Sequence, residues 1–149
     1  MENRTLGGTL KEPAALRQIK QERMCEMQTL SAAGIRYLIV LNDLDGECGI
    51  RSIDIAEKLA LTKPSVHRMI EALSGRALVN KVKYGTVFLT DEGRRIAIRY
   101  ASYFDVVFFF LSQKLSLTPE DAKNAAVALL AEIPDERIGD MCEKMQDLT

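Results

Sequence analysis

The 149-residue chain is 47% apolar and 28% charged, the balance of a globular protein and not of a disordered one. Its apolar runs, such as Val106 to Leu111, are far short of the roughly 20 residues that span a bilayer, and the opening MENRTLGGTL has no apolar signal core. No membrane association and a cytoplasmic location are therefore expected.

The net charge of -1 hides an uneven distribution. Residues 51–99 hold ten Lys and Arg against five Asp and Glu, whereas residues 100–149 hold four against nine. A basic middle beside an acidic end suggests a polyanion-binding module next to a part that stays off the polyanion. The three cysteines, Cys25, Cys48 and Cys142, have no CxxC spacing. That argues against a disulfide framework and a thiolate zinc site. There is a single histidine, and no phosphate-binding glycine loop, nucleophile elbow or HExxH. The chain reads as a non-enzyme without a cofactor or a metal site.

In chain order, residues 1–10 are polar with Gly7-Gly8 and read as a frayed tail. Lys11 to Leu30 is rich in helix formers and predicts a helix. Ser31 is placed to cap a second helix, Ala32 to Leu44, with Ile35, Leu38, Ile39 and Asn42 as its stripe. Asp45-Gly46 breaks it. Ser52 is expected to cap the helix Ile53 to Leu59, and Thr62 the next one, with Pro64 in its first turn. That helix runs to about Ser74, with Gly75 as its stop. Val66, Met69, Ile70 and Leu73 fall at the spacing of a buried face. Two β-rich runs, Leu78 to Lys83 and Thr86 to Leu89, flank Tyr84-Gly85 and predict a hairpin. Thr90, Thr118 and Pro134 then open three further helices, the first reaching about Lys114 and the second about Glu132. The last carries the stripe Ile138, Met141, Cys142 and Met145.

The expected fold is mainly α: a winged helix-turn-helix with a preceding helix over 11–92, then a helical dimerisation domain over 93–149. In such a unit the second helix of the pair enters the major groove. Here its exposed face and N-terminus offer Thr62, Lys63, Ser65, His67 and Arg68, able to reach bases and phosphates. Lys81, Lys83 and Tyr84 lie near the hairpin tip, and Arg94 and Arg95 begin the next helix, suited to flanking phosphates. Double-stranded DNA is the expected partner.

The stretches Arg51-Ser-Ile-Asp-Ile-Ala-Glu-Lys-Leu59, Thr62-Lys-Pro-Ser-Val-His-Arg-Met-Ile70, Leu78-Val79 and Leu89-Thr-Asp-Glu-Gly93-Arg94 resemble the diphtheria-toxin-repressor family of iron- and manganese-dependent repressors. A weaker likeness reaches Glu136-Arg-Ile138, and the layout is that of the short, two-domain members. The resemblance implies a homodimer paired through C-terminal helices, palindromic operators, and a divalent metal between the two domains. It also places the metal ligands on positions that here are Leu38, Ile39 and Val40, Phe104 and Phe108, and the stretch 124–131, NAAVALLA. Phenyl and aliphatic groups are not donors for such ions, so the family's metal site is expected to be lost. Phe104 and Phe108, with Phe109 and Phe110, are either core and dimer-interface residues or the wall of an apolar effector pocket. Two rival readings remain: a dimeric winged-helix adaptor that no longer binds DNA, and a regulator sensing an unknown small-molecule effector.

Overall fold

A computed structural model describes residues 13–18 and 30–149, apart from the side chain of Lys83. The expected tail at 1–10 and most of the expected helix over 11–30, with Cys25, lie outside the described residues. Within that helix, 14–18 is helical, but Leu30 is not, and it is buried.

The fold is mainly α. Helix α1 (Ala32–Leu44) starts at Ser31, whose hydroxyl accepts from the Gly34 N–H at 3.1 Å. It buries a wider face than the expected stripe: Ile35, Tyr37, Leu38, Val40 and Leu41 are all inside, while Ile39 and Asn42 are half-buried. The breadth follows from its central place, because α1 packs against four other helices and so needs more than one apolar stripe.

Strand β1 (Ile50–Arg51) leads directly into α2 (Ser52–Leu59), and α3 (Lys63–Gly75) follows after a short turn. Arg51, not Ser52, occupies the N-cap of α2 and makes no side-chain cap bond. The Ser52 hydroxyl instead donates to the Gly85 carbonyl at 2.9 Å, so the expected cap is a tether to the hairpin. Helix α2 ends in left-handed Ala60 (φ 52°). Thr62 caps α3 as expected. Gly75 is the last helical residue of α3 and not its left-handed stop; Ala77 (φ 58°) makes the reversal.

Strands β2 (Val79–Val82) and β3 (Thr86–Leu89) form the expected hairpin through a single 3-10 turn at Lys83–Gly85. A third strand was not anticipated. Ile50 and Arg51 pair with Val87 and Thr86, giving an antiparallel sheet of order β1-β3-β2. Two residues are too few to show the period of a strand, so nothing in the sequence marks β1.

Three helices complete the chain: α4 (Asp91–Lys114), α5 (Pro119–Glu132) and α6 (Asp135–Asp147). Thr90 and Thr118 cap the first two, accepting from the Gly93 and Asp121 N–H groups. Helix α4 packs against α1, α5 and α6, so one continuous buried core runs from Leu30 to Cys142. Ile138 and Cys142 on α6 are buried, with Met141 and Met145 half-buried beside them. No described helix is long and apolar enough to cross a membrane.

Candidate nucleic-acid interface

Helix α3 is held by its apolar face. Val66, Ile70 and Leu73 are buried, and Met69 is half-buried. Each fully buried aliphatic side chain of this kind contributes roughly 1.5–3 kcal/mol. The opposite face, with Lys63, Pro64, His67, Arg68, Glu71 and Ala72, is exposed. At the N-terminus, the Ser65 N–H donates to Thr62 Oγ1 at 3.4 Å, and the Thr62 hydroxyl donates to Ser65 Oγ at 3.0 Å. These two hydroxyls serve the helix start first.

Most cations of the basic segment are paired within the protein. The Arg51 guanidinium makes two bonds to Asp54, each 2.9 Å. Lys58 meets Asp43 at 3.3 Å, Arg94 meets Asp45 at 2.8 Å, and Arg95 meets Glu92 at 3.0 Å. The Arg95 bond holds the Glu92 carboxyl below the usual carboxylate range. Lys81 on β2 contacts Glu71 on α3, and His67 stands 3.6 Å from the same carboxylate. Arg99 pairs with Asp135 at 3.2 Å. Among the described residues, Lys63 and Arg68 have no carboxylate partner. Among the described residues, unspent positive charge thus stands on the first two turns of α3, where the helix N-terminus adds its own partial positive charge.

The hairpin projects beside this face. Tyr84 sits at its tip, 99% exposed, in left-handed backbone (φ 69°). That conformation costs a non-glycine residue roughly 1–2 kcal/mol. The Lys83 side chain lies outside the described residues. Of the ten residues expected to face DNA, Lys63, His67 and Arg68 are exposed on α3 and Tyr84 at the hairpin tip. Lys81 is turned to α3, and Arg94 and Arg95 are held by Asp45 and Glu92. Glu71 was not singled out from sequence, although its i+4 spacing from His67 is the signal of a side-chain pair on one helix face.

On α4, the Phe104 and Phe108 rings stack nearly parallel, with centroids 5.8 Å apart, and pack half-buried against the core. Across the junction, the Arg36 guanidinium on α1 donates to Asn124 Oδ1 on α5 at 2.9 Å. Among the described residues, no three His, Cys, Asp or Glu side chains converge as a metal site would require. A groove of about 310 Å3 opens elsewhere, between α4 and the end of the chain, lined by Asp105, Val106, Phe109, Met145, Gln146 and Thr149. Phe109 is 55% exposed there.

No family model matches the chain. It is 29% identical over 103 residues to the transcriptional regulator MntR of Escherichia coli O157:H7, covering 68% of this chain and 66% of that protein. Among solved structures, the manganese regulator SloR superposes with a TM-score of 0.60 at 24% identity, over 81% of this chain and 55% of that one. IdeR of T. acidophilum gives 0.57 at 21%, over 75% and 53%. The alignments span slightly less than two thirds of the curated relative and about half of each solved chain. The structural likeness is one of fold.

Proposed function

We propose that this chain, which belongs to the diphtheria-toxin-repressor/MntR-like family, is a sequence-specific DNA-binding transcriptional regulator that acts as a homodimer in the cytoplasm and does not use a metal at the family's position. One observation carries the reading: among the described residues, the cations Lys63 and Arg68 stand without a carboxylate partner on the exposed N-terminal half of α3, and the hairpin, which touches the same helix through Lys81 and Glu71, ends in an exposed tip. This is the arrangement of a helix that enters the major groove while its wing meets the flanking backbone. Residues 11–92 form the DNA-binding part and 93–149 the dimerisation part in this reading.

In the proposed mechanism, Lys63 and Arg68 approach base edges and phosphates from α3, with His67 between them on the same face. Tyr84 meets the backbone or minor groove. The strain at Tyr84 supports a role there, because a glycine would occupy that turn without it. Pairing of two copies through α4 and α6 sets the spacing of half-sites. The exposed Phe109 and its groove support that interface, because aromatic anchors are enriched at interface centres.

SloR is named a manganese regulator, but the residues at the expected ligand positions of this chain do not suit such an ion. Two stacked phenyl rings and an aliphatic run supply no donors, and Arg36 would bring a positive charge to the same junction. The Phe104–Phe108 stack acts here as packing. Arg36 and Asn124 join the two parts directly.

A genome-wide map of bound sites, followed by binding to the recovered sequences, tests the reading. A shared palindromic sequence is expected. Occupancy spread without sequence preference contradicts it.

A further inference from the structure

We propose that Glu71 lowers the sequence-independent affinity of the α3–wing surface for duplex DNA by occupying Lys81, which would otherwise hold a phosphate; this rests on the DNA-binding reading above. Glu71 lies on the same exposed face of α3 as His67 and Arg68, and its side chain is half exposed. Two side chains converge on it from different elements: Lys81 from strand β2, in contact, and His67 from the preceding turn of α3, at 3.6 Å. It is the acidic residue of α3, on a face that otherwise carries cations.

A carboxylate and a phosphate make the same demand on an ammonium group. While Lys81 is held by Glu71, a duplex must displace that carboxylate before Lys81 can neutralise a phosphate. Sequence-independent affinity is built from such neutralisations, each adding about 0.9 to the slope of log K against log salt. Glu71 therefore subtracts from binding to every sequence alike, while contacts from Lys63 and Arg68 to base edges are left intact. Lys81 becomes a positioning residue that ties the wing to α3.

The test compares wild type, Glu71→Gln, Lys81→Met and the double variant, by fluorescence anisotropy over a range of KCl. The probes are a short random-sequence duplex and a duplex selected by the wild type from a random pool. Glu71→Gln preserves size and helix, and circular dichroism confirms folding. Expected for Glu71→Gln is an affinity about 3–10-fold higher for both duplexes, with a salt slope steeper by about one and the selected-to-random ratio unchanged. Adding Lys81→Met to it should return the slope to the wild-type value. An unchanged random-duplex affinity and slope overturns the proposal, as does a loss confined to the selected duplex, which would make Glu71 a reader of cytosine amino groups. If the wild type shows no salt-dependent duplex binding, the regulator reading falls and this proposal with it. A normal wild type beside an unresponsive Glu71→Gln removes this proposal alone.

Discussion

Gly93, in the first turn of α4, lies against the backbone of Leu78, where the chain enters the wing. A Cβ added at Gly93 would stand 1.8 Å from the Leu78 carbonyl oxygen. That oxygen also accepts the Thr90 N–H at 3.1 Å, and the Thr90 hydroxyl donates to the Ala77 carbonyl at 2.7 Å. The Leu89-Thr90…Gly93 pattern is thus a clamp that fixes where the wing leaves α3 and where α4 begins. Gly93→Ala forces backbone apart in a packed region, a change that costs roughly 1–3 kcal/mol or more. Chemical denaturation should show that loss. A midpoint equal to wild type would mean the clamp yields freely.

Arg68 and Tyr84 are expected to separate binding from stability. Arg68→Ala should weaken binding to a selected duplex by about 1–3 kcal/mol if the guanidinium reads a base, with the melting temperature unchanged, because Arg68 is exposed and without an ion-pair partner. Tyr84→Gly should weaken binding while raising stability by up to about 1 kcal/mol, since it relieves left-handed strain. Calorimetry and anisotropy on the same preparations check both. A Tyr84→Gly protein that binds as wild type takes the wing tip out of the interface.

The expected helices of the described region were legible from a cap, a period or both. Thr62, Thr90 and Thr118 all cap where the sequence places them, and the α3 and α6 stripes lie against the core as their spacing demands. Strand β1 was not legible, because its two residues gain their order from pairing with distant Thr86 and Val87. Ser52 misled for a related reason: a serine before a helix is a cap by local rules, but the wing tip offers its hydroxyl a carbonyl 33 residues away. The candidate site was half visible. Composition located the basic segment, but not that Asp43, Asp45, Asp54, Glu71, Glu92 and Asp135 pair with most of its described cations, while Lys63 and Arg68 have no carboxylate partner among the described residues.

Phe109 is the residue on which the proposed dimer is most exposed to test. A charge there would be buried without a partner in any interface covering the groove. Phe109→Glu should shift the protein from dimer to monomer in light scattering, with its helical content retained. A dimer that survives would place the interface elsewhere.

Stability should also fall at alkaline pH through the tyrosines. Burial pushes the Tyr100 hydroxyl above its ordinary value of 10.0, and the nearby Asp135 adds to the shift. Burial likewise raises Tyr37 and Tyr103. A folded pKa above the unfolded one means that these groups support folding fully below pH 10 and withdraw that support as pH rises through the folded value. Urea midpoints should therefore drop above about pH 10, and less steeply in Tyr100→Phe. A Tyr100→Phe curve parallel to wild type would show that Tyr100 contributes nothing to the drop.

Equilibrium binding to a selected duplex, measured across salt with a strong chelator and again with added Mn2+, decides most. The account predicts tight binding with a steep negative salt slope that is the same in both conditions, because the charge meeting the phosphates is carried by α3 and the wing, and Arg36 and Asn124 join the two parts without an ion. Affinity that appears only when the metal is present, or binding indifferent to salt, would contradict it.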